Sequence, residues 1–336
     1  MEPMKMRPYY RYGEMTPWGG DALRRMFGKD APEDRAGESL EVSALEGMES
    51  VILSGEFTGM TLAAALRNHY AEIVGEENGP FPLLLKLLDA RDTLSVQVHP
   101  GDDYAREHDG KLGKTEAWMV LSADPGAKIA YGLKPTDEKL SGIVARGEFE
   151  QALNFVTVAP GDVYYIPHGM VHALGGGVQV YEIQQSSDAT YRFWDWGRVG
   201  KDGKPRELHT EKALDVSVPD RKLSKIEGTT VLCKGGSRTY YISEKHFELC
   251  RLNLSGKMPL ESGRMLFLTP MSPCTLRWGD EELELNAFDS VVVPAQLEGV
   301  ALEGDSKVLM SSLPDQEALR AELGYRAENV AGLVEA

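Results

Sequence analysis

The chain has 336 residues, of which 42% are hydrophobic and 26% charged, and its 52 acidic against 36 basic side chains give a formal net charge of −16. That balance argues against nucleic acid or an anionic membrane surface as partner, since both require a basic face. A small anionic substrate stays open, because salt screens distant charges over about 8 Å and a few local cations decide the field at contact.

The length suits two domains or one large one. The first ten residues are basic and aromatic and lack the apolar block of a secretory signal, so a cytoplasmic location is expected. The longest apolar run, 81–88, contains Lys86 and is too short to span a bilayer. To about residue 56 the pattern is irregular, with short strand-like runs. Residues 61–74 then carry Leu62, Ala65, Leu66, Tyr70 and Ile73 at helical spacing, with Thr61 as N-cap. Short strands follow at 83–88, 94–98, 117–121 and 127–131, separated by turn residues. Residues 135–154 read as mostly helical, broken at Gly147. Strands resume at 156–158, 162–166 and 177–184. A charged linker, 201–225, includes a helix-like stretch at 207–214. From near Thr229 a second β-rich region has strands at 239–242, 247–254, 265–268, 275–278, 282–285, 290–294 and 307–311, and 315–323 closes the chain as a short helix. Strand follows strand with few helices between, which predicts antiparallel pairing and a mainly β fold. Cys233, Cys250 and Cys274 show no paired metal-type spacing and are expected as reduced thiols.

The densest chemistry lies in Gly161-Asp-Val-Tyr-Tyr-Ile-Pro167-His-Gly169-Met-Val-His172. A glycine turn leads into an apolar strand, and a second turn brings His172 to the mouth of a small barrel. A matching half-site stands upstream in Gln97-Val-His99-Pro100, with Glu116 shortly after; Gln97 and His99, two apart on a strand, share a face. Two histidines, a carboxylate and an amide oxygen make a nitrogen–oxygen site for a divalent metal. One carboxylate against a divalent ion leaves the site at net +1, which suits an anionic ligand. His69, His108, His168, His209 and His246 read as ordinary surface or core histidines. Asp162-Val-Tyr-Tyr-Ile-Pro167 is echoed by Asp289-Ser-Val-Val-Val-Pro294, and the same shift carries His172 to Gly299 and His99 to Ile226. The second copy keeps turn and strand but lacks the ligands, so one barrel is expected to hold metal and the other to be structural.

The matching stretches Pro17-Trp-Gly-Gly20, Gly37-Glu-Ser-Leu-Glu-Val-Ser43, Phe81-Pro-Leu-Leu-Leu-Lys-Leu-Leu-Asp-Ala90, Leu94-Ser-Val-Gln-Val-His-Pro100, Gly113-Lys-Thr-Glu116, the Gly161–His172 segment and Tyr181-Glu-Ile-Gln-Gln-Ser-Ser-Asp-Ala-Thr-Tyr-Arg192 with Asp195-Trp-Gly-Arg198 resemble the short type I mannose-6-phosphate isomerases of the cupin superfamily. The resemblance implies two jelly-roll (cupin-like) β-barrels with a few peripheral helices: a catalytic, metal-binding domain at 1–225, with a small helical segment at 135–154, and a degenerate jelly roll at 226–336. It implies zinc on Gln97, His99, Glu116 and His172, an active-site arginine at Arg192, and substrate contacts from Lys114 and Glu182. Leu40 stands where the motif usually has tryptophan.

Interconversion of mannose 6-phosphate and fructose 6-phosphate moves a proton between C1 and C2 through a cis-enediol. It needs a base, a cation near the developing oxyanion and an anchor for phosphate. Glu182 is the candidate proton shuttle, a salt bridge within the sheet being its structural alternative. Arg192, set among Tyr191, Phe193, Trp194 and Trp196, is either a stacked structural arginine or the guanidinium that meets enediolate or phosphate. Lys114 can neutralise phosphate, and Ser43 can donate to it. Lys86 within an apolar strand calls for a partner, Asp89 or a ligand-side carboxylate. Two histidines and a carboxylate also describe non-haem iron oxygenases, and a sugar-binding cupin without catalysis is a third reading. Lys114, Arg192 and Glu182 favour the isomerase.

Overall fold

Side-chain alternation along the strands sorts the interior into layers. Along Val178–Gln185, Tyr181 and Ile183 enter one apolar cluster while Val178 and Val180 enter another on the opposite face. A strand buried on both faces in this way must lie in a middle sheet. The computed structural model describes residues 1–200, 203–221 and 223–333. The start of the expected linker 201–225, and its position 222, lie outside the described residues.

The described residues form four sheets, and every pairing between their strands is antiparallel. The first has the order Val163–Ile166, Glu116–Ala123, Val178–Gln185, Leu83–Ala90, Ala36–Val42, Tyr9–Tyr12. It packs through Leu88, Trp118, Val120, Tyr164 and Val180 onto Ile129 and Tyr131 of a five-stranded sheet ordered Tyr191–Trp194, Val96–Val98, His172–Ala173, Lys128–Leu133, Leu153–Thr157. Its other face packs through Leu85, Leu87 and Ile183 onto Leu249, Phe267, Val292 and Leu309 of an eight-stranded sheet. That third sheet is built from 229–312, together with Met4–Arg7 and Val51–Ile52, which join its edge beside Ser290–Val293. A four-stranded sheet, containing Cys274–Trp278 and Ala301–Gly304, covers its far side. Among the described residues no helix is long and apolar enough to cross a membrane.

The helix Leu62–Val74 forms where its periodicity places it: Thr61 Oγ1 accepts from Ala64 N at 3.2 Å, and Gly75 ends it at φ 90°. The 135–154 segment is less helical than expected. Only Leu140–Ala145 and Phe149–Ala152 are helical, and Gly147 at φ 72° separates them. The expected helix at 207–214 is shifted to Thr210–Val216. Ala36–Val42, a seven-residue strand in the stretch read as irregular with short strand-like runs, is buried along its whole length. All three cysteines are free.

A buried polar knot fastens the first sheet to the third. Glu41, fully buried, accepts from Lys29 Nζ at 2.6 Å and from Ser290 Oγ at 2.8 Å, and Lys29 also donates to Phe288 O. Removing the carboxylate leaves the nearly buried ammonium with an uncompensated charge. Glu41→Ala is expected to cost about 3–5 kcal/mol, read as a lower urea midpoint at unchanged slope. A loss below about 1 kcal/mol would show that the pair is dispensable.

Candidate metal centre and adjoining cleft

Strand register brings the predicted residues together. Gln97, in Val96–Val98, is the cross-strand partner of both His172 and Arg192, so the three form one row across the five-stranded sheet. On the facing sheet Glu182 pairs with Lys86 on one side and Trp118 on the other, and Glu116 pairs with Gln184. The two rows confront each other at one end of the sheet pair.

Where they meet, His99, Glu116 and His172 converge, with ligand atoms within 4.8 Å of one another. All three are buried. His99 Nε2 lies 3.2 Å from Glu116 Oε2, and His172 Nε2 lies 3.2 Å from Glu116 Oε1. Each ring is fixed from behind: His99 Nδ1 sits 3.0 Å from Ala189 O and His172 Nδ1 2.9 Å from Met170 O. A backbone carbonyl can only accept, so Nδ1 carries the proton and Nε2 presents its lone pair to the centre. Burial, then the Lys114 charge, depresses the His99 pKa to about 3, which keeps the ring neutral. Burial opposes ionisation of Glu116, yet the Lys114 ammonium and His99 hold its carboxyl well below the usual range. Glu116 Oε1 is buried and accepts no hydrogen bond among the described residues. Acceptors crowded in this way call for a cation. Neighbouring ligands of a tetrahedral zinc, with bonds near 2.0–2.1 Å, stand roughly 3.3 Å apart, close to the spacing found. The donor set therefore fits a divalent ion.

Gln97 borders the three from the neighbouring strand. It is half-buried and turns Nε2, not its oxygen, toward His172 Nε2 at 3.3 Å; a half-turn of the amide exchanges the two atoms. Lys114 precedes the strand Glu116–Ala123 instead of lying on it, but its ammonium reaches Glu116 and stands 2.9 Å from His99 Nε2. His168 is exposed and stays outside the group.

Beside the cluster opens a cleft of about 270 Å³, lined by Gln97, Lys114, Glu182 and Arg192, and by Lys86, Arg11, Glu38 and Arg206. Glu182 accepts from Trp118 Nε1 at 2.7 Å, and its other oxygen lies 3.4 Å from Lys86 Nζ. The indole of Trp118 also meets the His172 ring edge-on, which couples the floor of the cleft to the cluster. Burial and the nearby Glu116 charge raise the Glu182 pKa, against the pull of Lys86 and Lys114. Lys86 pairs with Glu38 and Glu182, while Asp89 is occupied by Ala22 N and Gln179 Nε2. The salt bridge foreseen as an alternative for Glu182 is thus present inside the cleft. Arg192 spends Nη1 on Glu207 O at 2.7 Å, and its buried Nε has no partner among the described residues. Ser43 is fully buried, takes Leu45 N, and does not line the cleft.

Three contributors escaped the sequence reading. Arg11 and Arg206 come from segments without a motif. His209, read as an ordinary histidine, clasps the Arg192 backbone, accepting from its N–H at Nδ1 (3.1 Å) and donating to its carbonyl (2.8 Å). The only available signal was the charge of these residues.

The family model "Phosphomannose isomerase type I, catalytic domain" matches residues 10–121. The mannose-6-phosphate isomerase of Streptococcus mutans serotype c is 35% identical over 297 residues, covering 88% of this chain and 94% of its own. Mannose-6-phosphate isomerase ManA of Bacillus subtilis is 36% identical over 93% of this chain and 99% of its own. The crystal structure of a mannose 6-phosphate isomerase from Bacillus subtilis superposes with a TM-score of 0.86 at 32% identity, covering 93% of this chain and 99% of that one. The fold and the comparisons place the chain among the sugar-phosphate isomerases, as an enzyme. It belongs to the mannose-6-phosphate isomerase family.

Glu116→Gln keeps the shape of the side chain and removes its charge. Metal analysis after dialysis against Zn²⁺ is expected to fall from about one ion per chain to near none. Retention of a full equivalent would place the metal elsewhere.

Proposed function

We propose that this enzyme interconverts mannose 6-phosphate and fructose 6-phosphate through a cis-enediol, with one divalent ion, zinc by family resemblance, held by His99, Glu116, His172 and Gln97. The observation that carries the reading is Glu182. An acid–base group of raised pKa stands in a cation-walled cleft beside a cluster of metal-type ligands. Such a group can take a proton from the substrate and return it.

When bound, the ion supplies a positive charge that orients the sugar oxygens and lowers the cost of charge developing on them. The protein's own groups supply the rest. Glu182, held by Trp118 and Lys86, moves the proton between C1 and C2. Lys86 lies against Glu182 and offsets its charge in the ionised state. Arg192, whose Nε has no partner among the described residues, and Lys114 offer donors to enediolate or phosphate oxygens. Arg11 and Arg206 line the same wall, Arg11 paired with Glu38 and Arg206 with Asp195, and Lys114 and Arg192 give an anionic substrate local cations in a protein of net charge −16. The division of the chain near residue 225 into a catalytic jelly roll and a ligand-free scaffold, and residence in the cytoplasm, belong to the same proposal.

Coupled conversion of mannose 6-phosphate to fructose 6-phosphate, before and after chelation, is the direct test. Chelation is expected to abolish turnover and Zn²⁺ to restore it; activity indifferent to chelation would refute the metal role. Glu182→Gln is expected to lower kcat by about 10²–10⁴-fold with bound metal unchanged. A variant retaining half the original kcat would remove Glu182 as the shuttle.

A further inference from the structure

Glu116 and His99 arrive on different segments, and one side chain outside the cleft joins them. Asp102 opens the helix Asp102–Asp109, three residues after His99. Its Oδ1 accepts from Gly113 N at 3.0 Å and from Gln185 Nε2 at 2.9 Å. Gln185 Oε1 in turn accepts from Thr115 N at 2.9 Å, and Gln185 N donates to Thr115 O at 3.1 Å. Thr115 is the residue between Lys114 and Glu116. The two segments also touch directly: Lys114 N donates to Pro100 O at 3.0 Å, and a Cβ on Gly113 would lie 2.5 Å from Asp102 N. Glycine at 113 is what permits that approach.

We infer that Asp102 is a positioning residue for the metal cluster, setting the separation of Glu116 from His99 through Gly113 and the Gln185–Thr115 relay. This rests on the metal reading above. Backbone bonds placed one residue from a ligand limit how far its carboxylate can drift, and loss of the groups that orient ligands typically weakens metal binding by about 10–100-fold. Burial opposes ionisation of Asp102, but the bonds from Gly113 and Gln185, with His246 and Lys245 facing its Oδ2 at 3.8 and 3.7 Å, hold its carboxyl below the ordinary range.

A purely structural account also exists, because a carboxylate in the first turn favours any helix. Asp103 separates the two. It shares the same turn, is exposed, and has no bond to Gly113 or Gln185. The experiment titrates Zn²⁺ into the metal-stripped full chain against a competing chromophoric chelator, with Co²⁺ absorption as the signature of ligand geometry. Asp102→Ala is expected to weaken Zn²⁺ binding by about tenfold or more and to alter the Co²⁺ spectrum. Asp102→Asn, which keeps Oδ1 as an acceptor, should restore most of the affinity, and Asp103→Ala should match the unmodified protein. Gln185→Glu provides a second variant of nearly unchanged size. It retains the acceptor for Thr115 but turns an acceptor toward Asp102, and it should bind metal more weakly. Unchanged affinity in both Asp102→Ala and Gln185→Glu, or an equal loss in Asp103→Ala, would overturn the positioning role. An unmodified protein that binds no Zn²⁺ would instead overturn the metal reading itself.

Discussion

Three hydrogen-bond acceptors converge on one buried point, and the rest of the site is arranged to make that tolerable. His99 and His172 each commit Nδ1–H to a backbone carbonyl, which leaves both Nε2 lone pairs facing the Glu116 carboxylate. Such a cluster, without positive charge, would be expensive to bury. The Lys114 ammonium lies against Glu116 and His99 and offsets part of that cost. A divalent cation would satisfy the same lone pairs more fully. The chemistry of the cleft then follows from its position beside this point, since Glu182 has its basicity raised by burial and by Glu116 itself.

Sheet register, more than sequence proximity, assembles the cleft. A shift of one residue in the pairing of Val96–Val98 would turn Gln97 away from His172 and Arg192. The same holds on the facing sheet for Glu182 between Lys86 and Trp118. The alternating faces of this sheet divide its labour. One set of side chains seals the interface with the eight-stranded sheet, and the other builds the cleft and its apolar surround. A side chain outside the cleft can therefore act on its chemistry through the strand that carries it.

Much of this was legible because it is local. The spacing of Gln97 and His99, the turn before His172 and the strand after Glu116 are short-range patterns, and the structure brings those residues together. The helix at 62–74 was readable from its period and cap. The parts that were not readable are set by tertiary contacts. Ala36–Val42 contains Glu38, Ser39 and Glu41, which look exposed in sequence but are buried because Lys86, Arg11, Lys29 and Ser290 meet them. Arg206 and His209 approach the cleft from a charged stretch whose composition says nothing about where it folds. The helix Asp102–Asp109 buries only Ala105, too little for an apolar stripe to show in sequence, although Gly101, Asp102 and Asp103 at its start and Arg106, His108 and Gly110 at its end are ordinary helix-end signals. The echo of 162–167 at 289–294 appears as two strands in different sheets, and His172 corresponds there to Gly299, a turn residue at φ 68°.

X-ray absorption at the zinc edge of the metal-loaded protein addresses the central claim most directly. The account predicts a first shell of nitrogen and oxygen only, near 2.0–2.1 Å, with the outer-shell scattering of two imidazoles. A sulfur shell near 2.3 Å, drawing on the cysteines of the other sheets, or a spectrum with a single imidazole or none, would contradict it.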